Sequence, residues 1–291
     1  MIPRITKLSD ALGAEITGID LRNPLTPDMI EMLNAALARF QLLCFRYQAL
    51  APLELANFSR CWGTLEVSDS LPLHPDVPEV SIILSEQNQM RKYGGVWHIE
   101  YGAHRVGAAQ LILYAIDIPS EGGDTSFCNL AAAFDHLPTF IQREISGLFA
   151  LRRVDSGLAK EYASPAFVLK MASDEFTVTH PVVRTHPVTA RDVLYIDQGF
   201  TREIVGIDPE RGRMLLDHLK AHSVRPEFIY RHQWRQGDVV IFDNRSLQHK
   251  AECDYEGQRR ELHRCLVRET TQPFFLATHE DVSQIPYRES E

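Results

Sequence analysis

The sequence of 291 residues has few cysteines, and their arrangement indicates neither disulfides nor a zinc site. The five are widely spaced and form no CxxC pair: Cys44, Cys61, Cys128, Cys253 and Cys265. Such a set is typical of reduced cysteines in the cytosol. No apolar run is long enough to span a membrane, and the N-terminal MIPRITKLSD lacks the apolar core of a signal peptide. We therefore expect a cytoplasmic protein without a membrane partner.

Positive charge is also scarce, and several catalytic motifs are missing. The chain has 30 Lys and Arg against 39 Asp and Glu, a formal net charge of −9, which argues against nucleic acid as a partner. A local cationic pocket for an acidic ligand is compatible with this charge. The sequence has no GxSxG of a serine hydrolase, no HExxH of a zinc protease, and no GxGxxG after a strand. These absences disfavour both hydrolase classes and a Rossmann fold.

No internal repeat or long linker divides the chain, so we expect one domain, residues 1–291. Capping residues and apolar spacing predict helices that begin at Pro27, near Pro52, after Asn129, after Pro138 and at Pro209. Apolar runs predict strands at residues 42–45, 80–84, 111–116, 228–234, 239–242 and 261–267, and two strands joined by a turn within 182–196. This pattern predicts a mainly β fold with inserted helices, either a sandwich or a jelly roll.

Two distant segments carry the residue types of a metal site. In Trp97-His98-Ile99-Glu100, an extended backbone would place His98 and Glu100 on one face and Ile99 on the other. His249 offers a second imidazole, although a histidine after a polar segment is more often a surface residue. Two histidines and one carboxylate form the facial triad of non-haem Fe(II) oxygenases.

The chain has 12 histidines, so a third ligand is easily available by chance. Surface or helix-face positions are expected for seven others: His74, His104, His136, His218, His222, His232 and His279. We expect structural roles for His180 and His186.

Arg260 and Arg264 are four residues apart and would share one face of a strand, with Leu262 between them. Two inward guanidinium groups are costly to bury unless they meet anions, and arginine suits bidentate binding of carboxylates. The alternative is a solvent-facing strand edge with salt bridges to Glu252 or Asp254. The residues alone leave both interpretations open.

At these residues the sequence resembles the taurine dioxygenase and chlorophenoxyacetate dioxygenase family of Fe(II)- and 2-oxoglutarate-dependent enzymes. The resemblance covers nearly the whole chain and rests on six segments in the family's order: LGAEITGIDL, LLCFRYQAL, FSRCWGTLE, EGGDTSF (121–127), HPVVRTHPVT (180–189) and GDVVIFDNRSLQHKAECDYEGQRRELHR (237–264). It implies a double-stranded β-helix, or jelly roll, and an oxidoreductase that uses Fe(II), 2-oxoglutarate and O2.

The resemblance also implies roles by motif position. His98, Glu100 and His249 would bind the iron. Arg260 would pair with the distal carboxylate of 2-oxoglutarate, to which Thr125 would donate a hydrogen bond.

Arg264 would contact an acidic group of the prime substrate or the near carboxylate of 2-oxoglutarate. The expected reaction is hydroxylation of an unactivated C–H bond, with succinate and CO2 as products and desaturation as an alternative outcome. The expected substrate is a small organic acid, amino acid derivative, sulfonate or sulfate ester. Residues 67–93 and 155–176 are expected to line its pocket, the second segment as a lid. The family's oligomers are usually dimers or tetramers, and we expect one here.

Glu100 departs from the family, whose usual motif is HxD. The extra C–C bond adds about 1.5 Å of reach. Residues 91–96 also lack the polar pattern expected of a taurine pocket. Two alternatives therefore stay open: a jelly-roll protein that binds a metal or small acid without turnover, and a hydrolase with zinc at a His2Glu site. The zinc alternative gives Arg260 and Thr125 no purpose.

Overall fold

A computed structural model of the protein describes residues 3–68, 71–87, 94–104, 106–153 and 177–270. Within these residues the chain forms sixteen strands: β1 (Arg4–Lys7), β2 (Ala14–Thr17), β3 (Leu42–Phe45), β4 (Leu65–Glu66), β5 (Ser81–Ser85), β6 (Ala108–Asp117), β7 (Thr125–Asn129), β8 (Phe149–Arg152), β9 (Val178–Pro181), β10 (Val183–Thr185), β11 (Asp192–Leu194), β12 (Thr201–Val205), β13 (Ile229–His232), β14 (Val239–Asp243), β15 (Leu247–Ala251) and β16 (Arg260–Arg268). The same ranges contain five α-helices: α1 (Pro27–Phe40), α2 (Pro52–Ser59), α3 (Leu130–Asp135), α4 (Thr139–Ile145) and α5 (Pro209–Ser223).

Two sheets pack face to face and form the framework of the fold. The larger has the strand order β1-β2-β3-β14-β6-β16-β4, with β5 also paired to β16, and the smaller has the order β13-β7-β15. Their inner faces share one apolar cluster, in which the rings of Phe127 and Phe242 lie 5.0 Å apart. Apart from the parallel pair β2–β3, the described strands of both sheets pair antiparallel. This arrangement is the predicted jelly roll.

Helices α1 and α2 cover the outer face of the larger sheet. Thr26 caps α1 by accepting a hydrogen bond from the backbone N–H of Met29 (3.3 Å), and Pro27 occupies the first turn. Leu33 and Leu37 of α1 are buried in the cluster that contains Leu43 of β3. Full burial of each such leucine contributes about 1.5–3 kcal/mol. The apolar spacing and the cap thus predicted this helix correctly.

Two further sheets lie beside this framework, with the strand orders β12-β8-β9 and β10-β11. Helices α4 and α5 pack against the first of them through Ile145, Leu215 and Leu219, which meet Ala150 of β8 and Ile204 of β12. Asp208 caps α5 by accepting from the backbone N–H of Arg211 (2.9 Å). In the second of these sheets, Val193 of β11 packs against Leu130 and Ala131 of α3.

The predicted helix starts at Pro27, Pro52 and Pro209, after Asn129 and after Pro138 are confirmed. The predicted strands are all present, but eight strands were not predicted: β1, β2, β4, β7, β8, β9, β12 and β15. The predicted lid, residues 155–176, lies outside the described residues, as do residues 69–70 and 88–93 of the other predicted pocket wall. Among the helices that the structure describes, we find no stretch with the length and apolar character that crossing a membrane requires.

The expectation for His232 was wrong. Its ring is fully buried, at 0% exposure, and its Nε2 forms a hydrogen bond with Oδ2 of Asp238 at 3.2 Å. His180 and His186 are buried as well, at 2% and 3% exposure. His186 contacts Asp243 through Nε2 (3.1 Å), and its Nδ1 accepts from two backbone N–H groups, which agrees with a structural role.

Candidate active site

His98 and His249 face each other across a single β-bridge. The backbone N–H of His98 donates to the carbonyl of His249 (3.0 Å), and the N–H of His249 donates to the carbonyl of His98 (2.9 Å). The ring centroids are 4.2 Å apart. Gly199 packs closely against His98, since a Cβ at that position would lie 3.0 Å from the Cβ of His98. A surface position for His249 is therefore excluded: it belongs to β15 and is 7% exposed.

Glu100 completes a cluster of three potential metal ligands. The ligand atoms of His98, Glu100 and His249 all lie within 4.8 Å of one another, and Oε2 of Glu100 is 3.8 Å from Nε2 of His98. Ile99 is fully buried in a separate apolar cluster. The predicted arrangement, with His98 and Glu100 on one face and Ile99 on the other, is thus present, although the segment joins β15 by one bridge instead of forming a strand.

Side chains from distant parts of the chain hold this short segment in place. Oδ2 of Asp197 accepts from the backbone N–H of Ile99 (3.1 Å). Asn244 accepts from the N–H of Glu100 through Oδ1 (2.9 Å) and donates to the carbonyl of Glu100 through Nδ2 (3.0 Å). The next residue, Tyr101, has a φ of 57° and turns the chain away. Asp197 itself is fixed by an ion pair with the fully buried Arg152.

The pKa values of the three residues in this cluster are shifted by burial and by one another. Nδ1 of His98 lies 2.7 Å from the carbonyl of Val96, which assigns the proton to Nδ1 and leaves a lone pair on Nε2. Burial, followed by the charge of His98, lowers the pKa of His249 well below its ordinary value, which favours the neutral ring. Burial would raise the pKa of Glu100, but Arg264 and the contact with His98 outweigh it and hold the pKa far below its usual range. Burial would lower the pKa of His98, but the hydrogen bond and the charge of Glu100 outweigh it and raise that pKa, so a metal ion that binds Nε2 would displace a proton. Two imidazoles and one carboxylate are ligands that iron and zinc accept.

Arg260 is buried at 4% exposure, and no carboxylate within the described residues forms a salt bridge with it. Its Nε donates to the carbonyl of Gly123 (2.8 Å), and its Nη2 donates to Oγ1 of Thr125 (3.3 Å). Thr125 lies on β7, and its Oγ1 also accepts from Nε1 of Trp234 (2.9 Å). Because guanidinium and indole groups can only donate, the hydroxyl hydrogen of Thr125 is left for another acceptor.

Arg264 lies on the same strand, β16, and is 3% exposed. Its Nη1 is 3.0 Å from Oε1 of Glu100, and its Nη2 donates to Oγ of Ser68 (3.0 Å). Its Nε is buried without a hydrogen-bond partner among the described residues. Both arginines therefore face inward, and the interpretation of a solvent-exposed strand edge is wrong.

A second cluster of possible ligands is Cys44, His232 and Asp238, whose ligand atoms lie within 4.8 Å of one another. Here Arg46 already forms an ion pair with Asp238 and supplies the positive charge that a metal would bring. Burial raises the pKa of Cys44 to about 12, so the thiol stays protonated and is a poor ligand. This cluster is an ion pair that joins β3 to the start of β14.

Four residues around the site escaped the prediction from sequence: Ser68, Asp197, Trp234 and Asn244. Only Asn244 offered a signal, because it stands in a polar triplet, Asp243-Asn244-Arg245, directly after an apolar strand. Asp197 and Trp234 act through contacts with segments about one hundred residues away. Spacing along the chain carries no information on such contacts.

Comparison with known proteins gives a consistent result. Residues 4–266 match the family described as "Taurine catabolism dioxygenase TauD, TfdA family". An alkylsulfatase of Acinetobacter baylyi is 31% identical over 271 residues, which cover 90% of this chain and 83% of that protein. An alpha-ketoglutarate-dependent 2,4-dichlorophenoxyacetate dioxygenase of Cupriavidus pinatubonensis is 30% identical over 283 residues, 88% of this chain and 94% of that protein. The crystal structure of AAD-2 in complex with Mn(II) and N-oxalylglycine superimposes with a TM-score of 0.78 at 25% identity, covering 94% of this chain and 100% of that one.

Proposed function

Since the chain belongs to the TauD, TfdA family of dioxygenases, we propose that His98, Glu100 and His249 hold the Fe(II) of a 2-oxoglutarate-dependent dioxygenase. The protein is an oxidoreductase that uses Fe(II), 2-oxoglutarate and O2 and acts on a small molecule. When bound, iron and 2-oxoglutarate supply the oxidising chemistry, with succinate and CO2 as co-products. Three protein ligands would leave coordination positions on the ion for the co-substrate and O2.

The observation that carries the proposal is the buried charge of Arg260, with which no carboxylate of the described residues forms a salt bridge. A buried guanidinium without an anion destabilises a protein by several kcal/mol, so such a group is typical of a binding site for an anion. The distal carboxylate of 2-oxoglutarate is a suitable partner, because Arg260 supplies the charge and Thr125 can donate its hydroxyl hydrogen. A zinc hydrolase would give this pair no role.

The chain's own residues position the reactants and exclude water. The contacts of Asn244 and the β-bridge fix the backbone of the three residues that carry the ligand groups. Aromatic rings surround the ligands: Phe242 lies 4.9 Å from the ring of His249, and Phe200 lies 6.4 Å from that of His98. An apolar surrounding of this kind strengthens the electrostatic contacts within the site.

We propose an anionic prime substrate: a small organic acid, amino acid derivative, sulfonate or sulfate ester. The unpartnered Nε of Arg264 supports this, since a buried donor without an acceptor costs about 1–3 kcal/mol unless a ligand accepts its hydrogen. The names of the two curated relatives, an alkylsulfatase and a 2,4-dichlorophenoxyacetate dioxygenase, point to the same substrate class. Hydroxylation is the proposed reaction. By resemblance to the family, we further propose a single domain that acts in the cytoplasm as a dimer or tetramer.

An anaerobic titration of the metal-free protein with Fe(II) and then 2-oxoglutarate tests the proposed cofactor pair. We expect a visible metal-to-ligand charge-transfer band on addition of 2-oxoglutarate, and its loss in Arg260→Ala at the same concentrations. If iron binds and no band develops at any 2-oxoglutarate concentration, the dioxygenase assignment is wrong. A protein that binds metal without turnover would then be the better description.

A further inference from the structure

Glu100 stands where the family has aspartate, and its two carboxylate oxygens have different partners. Oε1 is 3.0 Å from Nη1 of Arg264, whereas Oε2 is 3.8 Å from Nε2 of His98, on the side of the imidazoles. One oxygen is therefore bound to an arginine, and the other faces the two imidazoles. A carboxylate held in this way is set to bind a metal ion through Oε2 alone.

Arg264 is itself fixed on its other side. It lies within β16, which pairs with β5 and β6, and its Nη2 donates to Ser68 (3.0 Å). Its position is therefore set by the sheet and by Ser68, and the guanidinium can hold Oε1 of Glu100 in one place. Glutamate has one more rotatable bond than aspartate, so it has more orientations to lose when it binds a metal.

From these contacts we propose that Arg264 is a positioning residue for the metal ligand Glu100, which it restricts to binding through one oxygen. The inference rests on the proposed metal site and gives Arg264 a role in addition to that of an anion-binding group. It explains how this chain accommodates a longer ligand than its relatives' usual aspartate. Partners of metal-bound side chains commonly change metal affinity by about 10–100-fold when they are removed.

The sign of the effect on metal affinity separates this role from its alternatives. A guanidinium that acts only as a nearby positive charge repels the metal, so its removal would strengthen metal binding. A guanidinium that serves only to bind a substrate anion would leave the affinity for metal alone unchanged. Of the three roles, only positioning predicts that removal of the guanidinium weakens metal binding. The effect should be confined to proteins with glutamate at position 100, because the aspartate carboxylate is withdrawn from Arg264 by about 1.5 Å.

The test is a titration of the metal-free protein with Co(II) alone, followed through the visible absorption of the bound ion and by competition with a chelator. We expect Arg264→Gln to weaken Co(II) binding by about tenfold or more. Glu100→Asp and the double variant Glu100→Asp/Arg264→Gln should bind with equal affinity. Arg268→Gln, which removes an exposed arginine of the same strand that pairs with Glu66, is the control and should bind Co(II) as the unaltered protein does.

The proposal would be overturned if Arg264→Gln bound Co(II) as tightly as the unaltered protein or more tightly. It would also be overturned if Arg264→Gln reduced the Co(II) affinity of Glu100→Asp as much as it reduces that of the unaltered protein. Circular dichroism of each metal-free variant verifies folding. If Arg264→Gln does not fold, Arg264→Lys replaces it. Lysine keeps the charge but cannot contact Glu100 and Ser68 together, so Co(II) binding should again be weaker when residue 100 is glutamate and unchanged when it is aspartate. His249→Ala separates the two levels of inference, because unaltered Co(II) binding in that variant would refute the proposed metal site itself.

Discussion

The side chain of Asn244 binds both sides of the backbone of Glu100. Its Oδ1 accepts the N–H at 2.9 Å, its Nδ2 donates to the carbonyl at 3.0 Å, and the same Nδ2 donates to the carbonyl of Ala108 (3.0 Å). Asn244 directly follows β14, and Ala108 begins β6, which is paired with β14. The segment that carries Glu100 is thereby hydrogen-bonded to the ends of two strands of the larger sheet, β14 and β6.

Replacement of Asn244 should therefore affect metal binding as well as stability. We expect Asn244→Asp to weaken Co(II) or Fe(II) binding by about 10–100-fold, because an aspartate cannot donate to the carbonyls of Glu100 and Ala108. Titration of the metal-free variant, with circular dichroism as the test of folding, measures this. The exposed Asn57→Asp is the control. A variant that loses stability and retains its full metal affinity would show that Asn244 supports only the fold.

Arg260→Gln should raise the concentration of 2-oxoglutarate needed for half-maximal succinate release. Loss of one partner from a buried charge pair costs about 2–5 kcal/mol, which corresponds to roughly 30-fold or more in affinity. Arg259→Gln is the control, since that neighbouring side chain is about a third exposed and pairs with Asp117 and Glu261. An unchanged requirement in Arg260→Gln would mean that the co-substrate binds elsewhere.

Thr125 allows a sharper test of the same pocket. Thr125→Val keeps the shape of the side chain but removes the acceptor for Trp234 and the donor for a bound carboxylate. We expect a loss of about 1–3 kcal/mol in the free energy of unfolding, together with a higher requirement for 2-oxoglutarate. Thr125→Ser restores the hydroxyl and should recover most of both. If Thr125→Val lowers stability but leaves the requirement for 2-oxoglutarate unchanged, the hydroxyl contacts Trp234 and Arg260 and does not bind the co-substrate.

Acid should destabilise the protein partly through His180. Burial, followed by the charges of Arg152 and Arg184, lowers the pKa of His180 to about 3, whereas an unfolded histidine titrates near its ordinary value of 6.5. Between these two values only the unfolded chain binds the proton, so stability falls as the pH falls, by up to about 1.4 kcal/mol per pH unit.

His180→Gln keeps an N–H donor for the carbonyl of His104 and removes the titrating ring. The measurement is the free energy of unfolding in urea as a function of pH. Between pH 6.5 and 4.5 we expect this free energy to fall less steeply for His180→Gln than for the unaltered protein, whereas above pH 7 the two should depend on pH equally. The exposed His218→Gln should keep the original slope. Parallel curves for His180→Gln and the unaltered protein would show that His180 does not contribute to the acid sensitivity.

Much of the fold was predictable because local signals and the final structure agree. Thr26-Pro27 and Asp208-Pro209 begin helices for reasons confined to a few residues. The first four residues of β14, 239–242, are all apolar, as is typical of a strand with both faces buried. β15 (Leu247–Ala251) was missed, since its sequence, LQHKA, carries polar residues that serve the interior of the site. A strand in which Gln248 and His249 are both buried does not alternate as a half-buried strand does.

The site itself was predictable in its residue types and less so in its contacts. His98, Glu100 and His249 do come together, and Thr125 meets Arg260, as the family resemblance implied. The ion pair between Arg264 and Glu100 was not foreseen, because it depends on the register of β16 and on the length of a glutamate side chain. Such contacts are set by three-dimensional packing, which no spacing along the chain records.

The β-bridge between His98 and His249 has a thermodynamic consequence for the supply of iron. In small metal-dependent domains the free energy of metal binding is also the free energy of folding, so removal of the metal unfolds the chain. Here two backbone hydrogen bonds between His98 and His249 join the two segments that carry the imidazoles. Removal of the metal by a chelator should therefore leave a folded protein that can bind iron again. Iron shortage would then make existing molecules inactive, and their activity would return when iron is supplied.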